Sequence, residues 1–181
     1  EPAPEDTDAD RVIVLESAPD ATLEGARVLD ARFAGALVVS VGADHVLRVH
    51  EGGSALAIDQ DVEAPISVAG DVLAYARGSM PFFELARADL ATRTTRAWTE
   101  GSAPVWSPAI SPDGREAIFV SGASGEPRMM RVTLDGEARE LAPSGAFPSG
   151  LRAPRWEGST LRFEDEAGLE HVLDLAQGAL R

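Results

Sequence analysis

The side chains in this sequence that could do chemistry are few and scattered. Asp59-Gln60-Asp61-Val62-Glu63 sets three carboxylates at alternate positions, a spacing that can offer oxygens to calcium. The run lacks the glycine and the distal glutamate of a calcium loop, so it reads as a solvated connection between units. Glu164-Asp165-Glu166 falls where a hairpin tip is expected. Paired carboxylates can exchange protons with a substrate, but neighbours in a turn mostly just solvate it. The histidines are His45, His50 and His171. Five residues along a strand put His45 and His50 on opposite faces, so they make no two-histidine metal pair without a bulge. There is no cysteine, which excludes disulfides, zinc-thiolate sites and cysteine nucleophiles. No Gly-x-Ser-x-Gly elbow occurs, since Gly122-Ala123-Ser124-Gly125 is one residue off. The glycines punctuate extended runs and none opens a helix, so no phosphate-binding loop is expected. These residues point to no catalytic group, cofactor or metal, and to a binding or scaffold role over an enzyme.

Ser111-Pro112-Asp113-Gly114 is the sharpest local motif. Proline presets the turn, aspartate accepts backbone N–H bonds and glycine permits positive φ, so the motif reads as a structural hairpin. Trp98, Trp106, Trp156, Phe82, Phe83, Met129 and Met130 are of the types enriched in recognition surfaces. Core packing between sheets accounts for most of them. Phe82-Phe83 and Met129-Met130 stand apart. Adjacent residues on a strand point to opposite faces, so one of each pair is free for a partner unless both faces are covered. Phe82, Phe83, Met129 and Met130 are the candidate binding residues.

The bulk composition narrows the setting. The 181 residues suffice for one domain with a real core. The formal charge is −14, from 30 acidic and 16 basic residues, and every basic residue is arginine. A field of that sign repels nucleic-acid backbones and anionic lipid surfaces. No apolar run approaches the ~18 residues a membrane helix needs, so no membrane insertion is expected. Glu1 to Asp10 are acidic and almost without large apolar groups, which predicts a disordered tether. Such a leader is what removal of a signal peptide or a lipoprotein signal would leave, and equally what a chain boundary drawn there would leave.

Positioning these residues falls to short strands. Arg11–Glu16 reads as an isolated one. Val28–Phe33, Ala36–Val41, His45–His50 and Ser54–Ile58 read as a first set of four, split by Ala34-Gly35, Gly42-Ala43-Asp44 and Glu51-Gly52-Gly53. Ile66–Ala69, Val72–Arg77, Phe82–Asp89 and Thr92–Trp98 make a second set. Val105–Ile110, Glu116–Ser121, Arg128–Leu134 and Ala138–Leu141 make a third. Arg152–Trp156, Leu161–Glu164 and Leu169–Leu175 make a fourth that is one strand short. Glu84–Thr92 has the best helix propensity, but its place in the series argues for a strand. Phe33, Val68, Ile110 and Trp156 end the first strands at intervals of 35, 42 and 46 residues. A period of about 40 residues with four strands per unit is the signature of propeller blades. Second strands such as Ala36-Leu37-Val38-Val39 and Ala117-Ile118-Phe119-Val120 are apolar on both faces, as a strand covered by neighbouring blades must be.

The stretch from Ala103 through Ile110-Ser111-Pro112-Asp113-Gly114-Arg115 to Ser121, with Met130–Gly136 and Arg139-Glu140-Leu141, resembles the TolB-like, WD40-like propeller repeat. Ile110 stands where that repeat usually has tryptophan. The resemblance covers about 40 residues closely, one blade's worth, and the other units only in strand pattern and glycine turns. It implies an all-β fold, a small propeller of about four four-stranded blades. Units are expected at about 28–60, 61–101, 102–145 and 146–181 of a domain spanning 11–181. Pairing of Arg11–Glu16 beside Leu169–Leu175 would close the ring and cover an exposed edge; the competing arrangement is an open half-ring that dimerises or takes a partner domain. The resemblance also implies protein–protein interaction in the bacterial envelope, in a periplasmic or extracellular, or lipid-tethered, protein that is a monomer or homodimer. The alternative from another class is a small-ligand or metal-binding, even hydrolytic, propeller that uses its central funnel.

Overall fold

A computed structural model describes residues 13–14, 22–23, 27–101, 103–122, 127–141, 152–165, 167–176 and 179–180. Every regular element among them is a strand. β1 (Ile13–Val14) and β2 (Thr22–Leu23) form a two-stranded ladder. Four four-stranded antiparallel sheets follow, each with its strands in chain order. Blade 1 is β3 (Val28–Ala34), β4 (Leu37–Gly42), β5 (Leu47–Glu51) and β6 (Ser54–Asp59). Blade 2 is β7 (Val62–Ala69), β8 (Val72–Ser79), β9 (Phe82–Asp89) and β10 (Thr94–Ala97). Blade 3 is β11 (Val105–Ile110), β12 (Glu116–Ser121), β13 (Arg128–Thr133) and β14 (Ala138–Glu140). Blade 4 is β15 (Arg152–Glu157), β16 (Thr160–Glu164), β17 (Glu170–Asp174) and β18 (Ala179–Leu180). The first strands, β3, β7, β11 and β15, lie innermost, where all four line one cavity.

The turn between first and second strands recurs in every blade and needs positive φ each time. Gly35, Gly70, Gly114 and Gly158 supply it, at φ 60°, 56°, 69° and 62°. In blade 3 a side chain would also be crowded. A Cβ on Gly114 would lie 3.1 Å from Val72 Cγ2 of blade 2.

Second strands carry the packing. Leu73 and Tyr75 of β8 join Val39, Val41, Leu47 and Val49 in a core between blades 1 and 2. The alternate residues Ala74 and Ala76 face the other way, into a core with Leu85, Trp98, Ile110 and Phe119 between blades 2 and 3. β12 repeats the device: Ala117 and Phe119 face blade 2, while Ile118 and Val120 meet Leu161, Phe163 and Leu173 of blade 4. No buried apolar cluster joins blade 4 to blade 1 among the described residues. The outward face of blade 4 is polar, whereas β4 of blade 1 is buried along both faces, with Val38 8% and Ser40 3% exposed. Arg162 of β16 pairs with Glu157 at 2.7 Å and Glu170 at 3.6 Å, and on blade 1 Ser40 Oγ lies 2.8 Å from His50 Nε2.

Two expectations need correction. Of Arg11–Glu16 the described residues are Ile13 and Val14, which pair with Leu23 and Thr22 in a separate two-stranded sheet and not with the last blade. Both edges of β17 are already taken, by β16 and by β18, so the fourth blade's outer strand comes from the chain's own C-terminal end. The connection at Asp59–Glu63 is also shorter than expected, since β6 runs to Asp59 and β7 begins at Val62.

The core between blades 3 and 4 is fully closed around Ile118. Ile118→Ala should destabilise the protein by about 2–4 kcal/mol through lost burial and the cavity left behind. Leu56→Ala, at a side chain on β6 that is 48% exposed, should change stability by no more than about 0.5 kcal/mol. Urea midpoints measure both, and equal losses would contradict this account of the packing.

Candidate functional site

An innermost strand presents one unpaired edge, and each of the four is broken by a register shift. The shifts fall at Val28/Asp30, Glu63/Ser67, Trp106/Ala109 and Arg152/Arg155. Three contain a proline, Pro65, Pro108 or Pro154, a residue that sheets admit at edges and bulges. The bulges turn these strands around a funnel of about 580 Å³. Its walls include the three proline rings, Phe33, and the guanidinium-bearing side chains Arg32 and Arg152.

Side chains from the neighbouring blade satisfy backbone groups freed beside the funnel. Asp30 Oδ2 of blade 1 accepts from Ile66 N–H of blade 2 at 2.8 Å. Ser67 Oγ of blade 2 accepts from Ile110 N–H of blade 3 at 3.0 Å. Trp156 Nε1 of blade 4 donates to Ala109 O of blade 3 at 3.3 Å. Asp30 is nearly buried and pairs with Arg32 at 2.8 Å. Burial pushes its carboxyl up from the usual aspartate range, and the Ile66 amide and Arg32 only partly offset that.

A second polar bridge lies farther out. Asp59 Oδ2, on the outer strand of blade 1, accepts from Tyr75 Oη at 2.6 Å and from Arg77 at 2.8 Å. Arg77 Nε donates to Glu84 Oε1 at 2.7 Å. Asp59 thus ties blade 1 to blade 2, in place of the solvated role expected for the acidic run. Burial, with the Asp59 carboxylate as acceptor, pushes the Tyr75 phenol well up from its ordinary range.

The other motifs distribute as follows. In Ser111-Pro112-Asp113-Gly114, Ser111 Oγ donates to Asp113 Oδ1 at 2.6 Å and accepts from Glu116 N–H at 3.1 Å, and the Ser111 hydroxyl lowers the Asp113 carboxyl's pKa. These bonds build the turn. His45 faces Glu63 at 3.2 Å, apart from His50 and its Ser40 contact. His171 bonds Asp165 at 2.9 Å, which lowers that carboxyl's pKa, and stacks on Phe163. Glu166 lies outside the described residues. No group of three or more His, Asp or Glu able to hold a metal ion occurs among the described residues.

Of the four candidate binding residues, Phe83 lies in the core between blades 2 and 3, Met129 in that between blades 3 and 4, and Met130 packs half-buried against the former. Phe82 is 61% exposed at the tip of the β8–β9 hairpin, beside Met80 at 78% and exposed Pro81. The funnel residues Arg32 and Arg152 are absent from the sequence-based candidates. The available signal was a proline recurring in the first strands of blades 2 to 4.

The chain is a β-propeller of four four-stranded blades. Its fold is TolB-like. It superposes on a putative TolB from Agrobacterium tumefaciens with TM-score 0.67 at 15% identity, covering 96% of this chain and 73% of that one. For TolB from Acinetobacter baumannii the values are 0.62, 17%, 91% and 46%, so the chain spans about half the length of that protein. A chain of the nidogen/laminin complex gives 0.64, 16%, 93% and 71%. At these identities the likeness is one of fold. No protein-family model and no curated protein matches the sequence.

Tyr75 is the only tyrosine, so phenolate absorbance reports this one bridge. A phenol whose folded pKa is raised stabilises the fold fully below its unfolded pKa of about 10 and loses that contribution as pH rises above it. Native protein should therefore show no phenolate at pH values where a free tyrosine has ionised, and phenolate should appear together with unfolding. Reversible ionisation near pH ~10 in folded protein would contradict the bridge.

Proposed function

We propose that this propeller is a non-catalytic protein-binding module of the bacterial cell envelope, engaging its partner through the end of the blades that carries Met80-Pro81-Phe82. The observation that carries this reading is the exposure of Met80 and Phe82 side by side on a hairpin tip. Large apolar side chains grouped in water mark interaction surfaces more often than scattered single ones do, and Phe and Met are enriched at interface centres. The hairpin topology puts the same end of blade 1 at its β4–β5 turn, where Asp44 is held down at about 2 by the Arg48 guanidinium. With a net charge of −14, the surface suits a partner with an apolar centre and a basic rim. The TolB-like fold supports the envelope setting, and the propeller of the nidogen/laminin complex supports partner binding. No helix among the described residues is long and apolar enough to cross a membrane.

The test is affinity capture from an envelope fraction with wild-type protein and with the double variant Met80→Ser, Phe82→Ser. The substitutions lie in solvent, so thermal unfolding should stay within a degree or two of wild type. A protein retained by the wild type and lost by at least about tenfold with the variant is the expected result. Equal retention by both would overturn the assignment of this tip.

A further inference from the structure

We propose that the central funnel is a binding site for a small carboxylate with an apolar body, held by the guanidinium groups of Arg152 and Arg32. This site is distinct from the hairpin tip and does not rest on the reading given for it.

The argument begins with charge. Acidic residues outnumber basic ones 30 to 16 over the chain, yet the described funnel lining contains two arginines and no carboxylate. The carboxylate of Asp30, beside Arg32, is only 8% exposed at its side chain and is committed to Ile66 N–H and Arg32. Arg32 keeps 51% of its side chain exposed above that pair. Arg152, from the first strand of the last blade, has no ion-pair or hydrogen-bond partner among the described residues. The chain's first and last blades thus each bring one guanidinium to the same cavity. A planar guanidinium binds a carboxylate through two parallel N–H bonds, and apolar walls strengthen that attraction relative to open water.

The remaining walls select what the carboxylate is attached to. Phe33 and the rings of Pro65, Pro108 and Pro154 are rigid and apolar, and the hydroxyl of Ser67 is already engaged with Ile110 N–H. A volume of about 580 Å³ lies within the range of small-molecule sites. Inorganic phosphate would use the arginines and leave these rings wet. An aromatic or branched aliphatic acid would cover both. Elsewhere the protein's negative field repels such an acid, which confines binding to the funnel.

Titration calorimetry with phenylacetate, phenylacetamide and inorganic phosphate tests this on the whole chain. Phenylacetate should bind at least about tenfold more tightly than the neutral amide, which keeps the ring and loses the charge, and more tightly than phosphate. Arg152→Met should weaken phenylacetate by at least about tenfold without moving the thermal transition, since Arg152 is exposed. Arg155→Met, three residues along the same strand but outside the funnel lining, should leave binding unchanged. Acid and amide binding alike, phosphate binding better than phenylacetate, no effect of Arg152→Met, or no binding of phenylacetate at millimolar concentration would each overturn the proposal.

Discussion

Blades 2 and 3 cannot fold alone, because their second strands are apolar on both faces. β8 turns Leu73 and Tyr75 to one neighbour and Ala74 and Ala76 to the other. β12 does the same with Phe119 and Ile118. Covering only one face would leave a row of large apolar groups in water, at a cost of about 1.5–3 kcal/mol for each Leu-sized side chain. The third strands and the aromatic side chains follow from this. Trp98 spans the gap from blade 2 to blade 3, where its Nε1 donates to Thr133 O at 2.7 Å. The rule relaxes at the last blade. The outward row of β16 holds Thr160 and Arg162, as the terminal units of repeat proteins carry polar outer faces.

Stacking blades face to face creates a second demand, at the axis. Four innermost strands expose unpaired backbone groups to the funnel, and an open edge invites further strand pairing. Bulges and prolines spoil the edges as templates, and Asp30, Ser67 and Trp156 occupy groups that would otherwise be left open. The polar bonds therefore run between blades along the same path as the apolar cores. Arg32, half exposed above its pair with Asp30, and Arg152 belong to this inner layer and give the funnel a cationic character inside an acidic protein.

The sequence revealed the strands well because the hairpin code is local. Glycine turns bracket runs of β-branched residues, and Val105–Ile110, Glu116–Ser121 and Phe82–Asp89 are strands as read, the last in spite of its helix propensity. It revealed the blades because the two-faced apolar pattern of the second strands has few other uses. What it hid depends on contacts between units. The adjacent-residue argument could not say which member of each pair faces out: Phe82 is exposed and Phe83 buried, while Met129 is buried and Met130 half-buried against the next blade. Asp59 looked like a solvent group because its partners, Tyr75 and Arg77, lie in the next blade. β18 is two residues long, too short for a periodic signal, so the fourth blade looked incomplete. The funnel arginines carried no motif at all, since they lie 120 residues apart in sequence and only the shared cavity of the first strands brings them together.

The most direct test of two-faced burial as the organising constraint is native-state hydrogen exchange resolved strand by strand. The account predicts that amides of β8 and β12, covered on both sides, exchange only through global unfolding, while those of β16 open at lower free energy because one of its faces is polar. Equal protection of all four second strands at values below the global stability, as independent blades would give, would contradict it.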